Sequence, residues 1–148
     1  IVELPGLNTP QFSWGRTKLP REPQPVPPIF QPEVAAEAIV WAAHNPRREL
    51  YVGWPTVKAI VGNKIAPSFA DLFLARTGYD AQLMGDPVQP DRPDNLFDPV
   101  PGDFAAHGRF DDRAKPRSLQ LQATLNRRWL GAGAAGLVAL VGVLRRDT

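Results

Sequence analysis

Cysteine is absent from the 148 residues. That excludes a disulfide framework and a thiolate metal or redox site. Histidine is nearly absent too. His44 and His107 stand alone and offer no metal-ligand spacing, so no metal site is expected. An excess of one charge is also missing, with 17 Lys and Arg against 15 Asp and Glu and a net charge of +2. The arginines come in pairs (Arg47-Arg48, Arg127-Arg128, Arg145-Arg146), not as a basic stripe with interleaved aromatics, so nucleic acid is not an expected partner. No secretory leader is visible, which points to a cytoplasmic setting. Strand patterns are in short supply as well. The apolar segments read as helices in need of a sheet to cover.

Proline, in contrast, is abundant. Its 17 copies are more than twice the usual share of about 5%. They crowd into residues 20–32 and 87–101, where regular structure should fail. The length suits one domain.

The chain opens, without methionine, on Ile1-Val2-Glu3-Leu4, three apolar residues around one acid. This reads as a short buried strand that Pro5-Gly6 breaks at once. The loop that follows, Leu7-Asn8-Thr9-Pro10, offers backbone amides and one hydroxyl. Open α/β sheets place ligands just beyond the carboxyl ends of their strands, in loops of this kind. Phe12 and Trp14 come next and either line an apolar pocket or anchor the loop on the body. Pro23 to Pro32 reads as a stiff extended connector.

A helix is expected over Pro32 to His44. Pro32 suits the first helical position, Glu33 the positive end of the dipole, and Asn45-Pro46 the stop. Val34, Ala38 and Trp41 would form its packed stripe, and His44 would serve its C-terminal end. Glu49 to Val52 reads as a strand closed by Gly53. Helical signals return over Thr56 to Ile60 and Ser68 to Arg76, with Ser68 as the expected N-cap and Phe69, Leu72 and Phe73 as a core face. Asp86 to Asp103 mixes proline and aspartate and admits neither a long helix nor a central strand. Its Leu96, Phe97 and Val100, with Phe104 just beyond, mark it as a tail that docks on a surface.

Ile1 to Thr9, with Pro5, Gly6 and Thr9 at the expected places, resembles the sixth strand and following loop of the short-chain dehydrogenase/reductase family. Gln31 to Trp54 resembles that family's next helix and seventh strand. The run from Asn8-Thr9-Pro10-Gln11-Phe12 through Gly78-Tyr79-Asp80 is similar to a bacterial branch with an extended C-terminal tail. The resemblance implies an α/β fold, namely the C-terminal part of a Rossmann-like doubly wound sheet (two strands and several helices) plus a Pro-rich tail and a C-terminal apolar helix. It implies NAD or NADP as cofactor and hydride transfer with a small alcohol or ketone. Pro5, Gly6, Leu7, Asn8 and Thr9 would border the nicotinamide, and Phe12 and Trp14 would belong to the substrate lid. Residues 1–80 would be the dehydrogenase part, 81–115 a Pro/Asp-rich docking tail, and 116–148 a C-terminal helix, apolar from 129 to 144.

The family's catalytic Tyr-x-x-x-Lys, its Ser and its Gly-rich cofactor turn have no counterpart here. Tyr51 is followed four residues on by Pro55, and Tyr79 by Leu83. No catalytic residue is therefore assigned, and the chain reads as a fragment of a longer enzyme. Gly131-Ala132-Gly133-Ala134-Ala135-Gly136 spells G-x-G-x-x-G, but no strand precedes it and no acid follows at the required distance. Its small residues, Ala132 and Gly136 among them, suit close helix packing instead.

Trp129 to Leu144 is uncharged and spans about 24 Å as a helix, short of a bilayer core of about 30 Å. A membrane contact through 129–144 and homo-oligomerisation both stay open. So does a rival of another class: a small non-enzymatic, membrane-anchored protein that presents helices 33–44 and 68–76 to a partner.

Overall fold

The structure is a computed structural model that describes residues 1–144. Within them lie six helices and four short strands, a mixed α/β arrangement with two separate two-stranded sheets. In chain order the elements are β1 (Val2–Glu3), α1 (Gln11–Trp14), β2 (Arg21–Pro23), α2 (Pro32–His44), β3 (Leu50–Tyr51), α3 (Trp54–Ile65), α4 (Pro67–Ala81), β4 (Leu83–Pro87), α5 (Leu119–Leu125) and α6 (Arg127–Leu144).

The first sheet is parallel. Val2 pairs with Leu50 and Glu3 with Tyr51, and Leu50 and Val52 donate to the carbonyls of Ile1 and Glu3. Parallel strands need a crossover, and α2 supplies it. α2 takes the bounds its sequence dictates, with Pro32 at N1 and Asn45 at the C-cap. Val34, Ala35 and Ala38 are buried on the face turned inward. At its end His44 Nδ1 bonds the Val40 carbonyl and Asn45 Nδ2 donates to that of Trp41.

Phe30, Val34, Ala38, Leu50, Val52 and Leu121 form the core, with Val2, Leu7, Trp41, Ala42 and Leu125 packed around it. Each fully buried aliphatic side chain contributes about 2 kcal/mol. Leu121 reaches this core from α5, a helix started by Ser118, whose Oγ accepts from the Leu121 amide at 3.2 Å. The core therefore closes only when a segment near residue 120 returns to a strand pair near residues 2 and 50.

The second sheet is antiparallel and unexpected from its composition. β2 and β4 pair Arg21 with Pro87 and Pro23 with Leu83, with a register shift between. Proline can sit in these strands because each has only one paired edge. β4 thus joins the segment after residue 81 to the loop between residues 10 and 32.

Four readings need correction. β1 forms but is not a buried strand: it pairs only with β3 among the described residues, Ile1 is 73% exposed, Leu4 is exposed too, and Val2 and Glu3 are half-buried. Ser68 is not a cap: Pro67 takes N1 of α4, Ala66 precedes it, and no side chain closes that end. Phe69, Leu72 and Phe73 do not form a core face, because no element among the described residues covers them and all three are exposed. The C-terminal segment holds two helices, since the turn at Asn126 separates α5 from α6. α6 continues from α5 across the Asn126 turn, and Trp129, Leu130, Leu137, Val138 and Val141 stay exposed, with nothing within 4 Å of where a Cβ on Gly136 would stand. The close helix packing expected of Ala132 and Gly136 is therefore not found among the described residues. None of the described helices is long and apolar enough to cross a membrane. Arg145-Arg146 lies outside the described residues.

Candidate functional site

The chain leaves β1 through Leu4 and Pro5 and then runs beside Phe30. The Phe30 amide donates to the Gly6 carbonyl at 2.9 Å, and the Asn8 amide donates to the Phe30 carbonyl at 2.8 Å. Phe30 is tied in turn to the far segment: Lys115 donates to the Ile29 carbonyl and Gln31 to that of Lys115. Residues 6–8 are thus one of the two outer members of three extended stretches (around 7, 30 and 115) linked by isolated bridges, with Phe30 in the middle.

Beyond the carboxyl end of β1 this arrangement leaves a cavity of about 620 Å³. Leu4, Pro5, Gly6, Leu7, Thr9, Gln11 and Phe12 form one wall, and Gln24, Pro25, Val26 and Gln82 the other. Gly6 is required here, because a Cβ at this position would meet the Val26 carbonyl oxygen at 2.6 Å. A side chain would push the two walls apart.

The expected site residues divide. Pro5, Gly6, Leu7, Thr9 and Phe12 all face the cavity. Asn8 does not line it. Its side chain is fully buried, with Nδ2 donating to Gln31 Oε1 at 3.0 Å and to Asp111 Oδ1 at 2.8 Å, while Oδ1 accepts from the Phe110 amide at 3.0 Å. Every polar atom of that amide is thereby engaged in holding residues 107–111 to the loop. Trp14 does not line the cavity either, and its ring lies 4.1 Å from that of Phe104. Of these two aromatics, then, Phe12 lines the cavity and Trp14 packs against Phe104.

Two polar clusters brace the walls. Glu22, buried on β2, accepts through Oε2 from Arg92 Nη1 at 2.9 Å and Arg109 Nη2 at 2.8 Å. Arg92 Nη2 continues to the Phe12 carbonyl at 2.6 Å, and Arg109 Nη2 reaches the Pro23 carbonyl at 3.2 Å. In the second cluster His107 sets Nδ1 2.9 Å from Asp111 Oδ1 and Nε2 2.7 Å from Glu33 Oε1. Both ring nitrogens can donate only in the imidazolium. Accordingly the His107 pKa is raised, first by the Glu33 hydrogen bond and then by that of Asp111. The Glu33 pKa is lowered chiefly by His107, and that of Asp111 chiefly by Gln31 and then by His107.

The cavity wall itself carries no titratable group. Gln24 is occupied by Leu83, Ala81 and Arg113, and Gln82 by the Gly78 carbonyl. The Thr9 hydroxyl and the Gln11 amide make no side-chain hydrogen bond among the described residues and can serve a ligand. Such a surface can orient a neutral polar group and shelter an apolar body. Among the described residues this wall offers no group that transfers a proton. A Tyr–Lys contact does form elsewhere, where Lys64 Nζ lies 3.1 Å from the Tyr51 hydroxyl, which donates to Glu49. Those hydrogen bonds lower the Glu49 pKa and raise that of Lys64, but the trio is a surface cluster outside the cavity wall.

Sequence reasoning missed Glu22, Arg92, Arg109, His107 and Asp111. The one signal on offer was the i, i+4 spacing of His107 and Asp111.

The chain matches no known protein-family model and no solved structure. It is 29% identical over 119 residues to the uncharacterized oxidoreductase YxnA of Bacillus subtilis (strain 168). The match takes in 79% of this chain but spans only a third of the length of that protein. A general relationship to an oxidoreductase follows.

Proposed function

We propose that the chain is the C-terminal portion of an NAD- or NADP-dependent short-chain oxidoreductase and supplies the nicotinamide-side loop and part of the substrate lid. The observation that carries the reading is the cavity beyond the carboxyl end of a parallel β–α–β unit, lined by Pro5, Gly6, Leu7, Thr9 and Phe12. Ligands of open α/β sheets sit in that position. The free Thr9 hydroxyl is of the kind that orients a carboxamide, and Phe12 with Val26 is of the kind that shields an alcohol or ketone from water.

The parallel pair adds support. β1 is bonded to β3 along one edge, and all-parallel sheets are ordinarily larger and covered on both faces. The relationship to an oxidoreductase points the same way. The cofactor would supply the hydride chemistry, and these residues would position it and exclude water. Proton transfer would fall to groups outside this wall.

The reading predicts a continuous reading frame upstream of the Ile1 codon that encodes a Gly-rich turn and a Tyr-x-x-x-Lys. It also predicts no turnover by the 148-residue chain alone with NAD(H) or NADP(H). A start codon directly before Ile1, or activity of the chain by itself, overturns it.

A further inference from the structure

A second cavity, of about 520 Å³, opens where the end of α2 meets the junction of α5 and α6. Its walls include Trp41, His44, Arg47, Arg127, Arg128 and Trp129, and no acidic side chain lines it. All three arginines are exposed, and among the described residues none has a carboxylate within ion-pair distance. Nor are they needed as helix caps, since His44 and Asn45 already take the carbonyls at the end of α2. Clustered like charges of this kind raise the local potential and attract an anion.

From the rim of this cavity runs α6, uncharged from Trp129 onward. Trp129 is 80% exposed and Val138 74%, and Gly131, Gly133 and Gly136 face open space. Nothing in the described chain covers this helix. It is not long and apolar enough to cross a bilayer. α6 has no polar face along its length, but cations and a tryptophan at the start of an apolar segment are the residues that sit at headgroup level where such a segment meets a membrane.

We propose that this end of the molecule is a membrane-surface site, in which an anionic phospholipid headgroup seats among Arg47, Arg127 and Arg128 while Trp129, Leu137, Val138 and Val141 enter the acyl boundary. A parallel pairing of two copies through α6 would bring two arginine clusters together, whereas an anionic headgroup complements them, so a lipid surface is the occupant proposed and a second copy is an outcome of the test. The proposal does not use the chemistry of the oxidoreductase reading, but it requires that the upstream part which that reading expects leave α6 uncovered.

The test is flotation of the full chain with vesicles of phosphatidylcholine alone and of phosphatidylcholine mixed with phosphatidylglycerol. The chain floats with the anionic vesicles and is largely released at about 1 M salt, where the Debye length is about 3 Å. Arg47→Gln, Arg127→Gln and Arg128→Gln together weaken this binding on the order of 100-fold, a factor of about five for each charge. Val138→Asp abolishes it. Lys58→Gln, Lys115→Gln and Arg117→Gln together remove the same charge elsewhere and leave binding within about twofold, because cations outside the site are screened over a Debye length. All of these side chains are exposed, so the fold should survive, as circular dichroism checks. No flotation, equal flotation with neutral vesicles, equal loss in the Lys58 set, or a salt-insensitive dimer without vesicle binding overturns the proposal.

Discussion

Asn8 and Phe69 show how differently two regions of this molecule are held. Asn8 is fully buried, and its three side-chain hydrogen bonds reach residues more than twenty positions away. Phe69, on α4, is 69% exposed and packs into no core. The loop-and-strand region (residues 1–31 with 104–125) is fixed by polar atoms with few alternative partners. The α3–α4 pair is fixed by helix formation and mutual packing. Segments rich in proline cannot satisfy their own backbone, so they bond to distant chain, whereas helices satisfy theirs internally and can leave apolar side chains outside.

Breaking the first region should cost most. Asn8→Ala leaves the buried Phe110 amide without an acceptor and releases Gln31 and Asp111, and should destabilise the chain by about 3 kcal/mol in urea unfolding. A loss below about 1 kcal/mol would mean that the loop is not held through Asn8. A smaller effect comes from pH. The folded pKa of His107 lies above its unfolded value of about 6.5, so its contribution is complete below that pH and is lost as pH rises through the raised value. Glu33 and Asp111 contribute fully above their unfolded values of about 4 and lose that contribution as pH falls through their lowered ones. Melting temperature should therefore be highest between about pH 4.5 and 6.5, and His107→Gln should flatten its decline on the alkaline side. A decline unchanged in that variant would assign it to other groups. Phe69→Ser should change stability by no more than about 0.5 kcal/mol, as suits a side chain in solvent. A loss of several times that would show that α4 has a cover in solution.

The sequence dictated the parts whose signals are local. α2 runs from Pro32 to His44 as its proline, its acid and its Asn45-Pro46 stop require, and its buried stripe falls at Val34 and Ala38. Pro5-Gly6 ends β1, and the cavity lies just beyond it. The pairing of β2 with β4 was not legible, because Arg-Glu-Pro and Leu-Met-Gly-Asp-Pro lack strand character and become strands only against each other. Nor could the sequence say that Asn8 turns inward while Thr9 faces the cavity. That depends on Asp111 and the Phe110 amide, about a hundred residues away. Helix α4 shows the converse, since an apolar face at helical spacing fixes the helix but not what will cover it. Capping, turn-breaking and periodicity act within a few residues and so can be read along the chain. Burial and the choice of hydrogen-bond partner depend on which distant segments meet, and that was decided only when residues near 110 and 120 closed over those near 8 and 30.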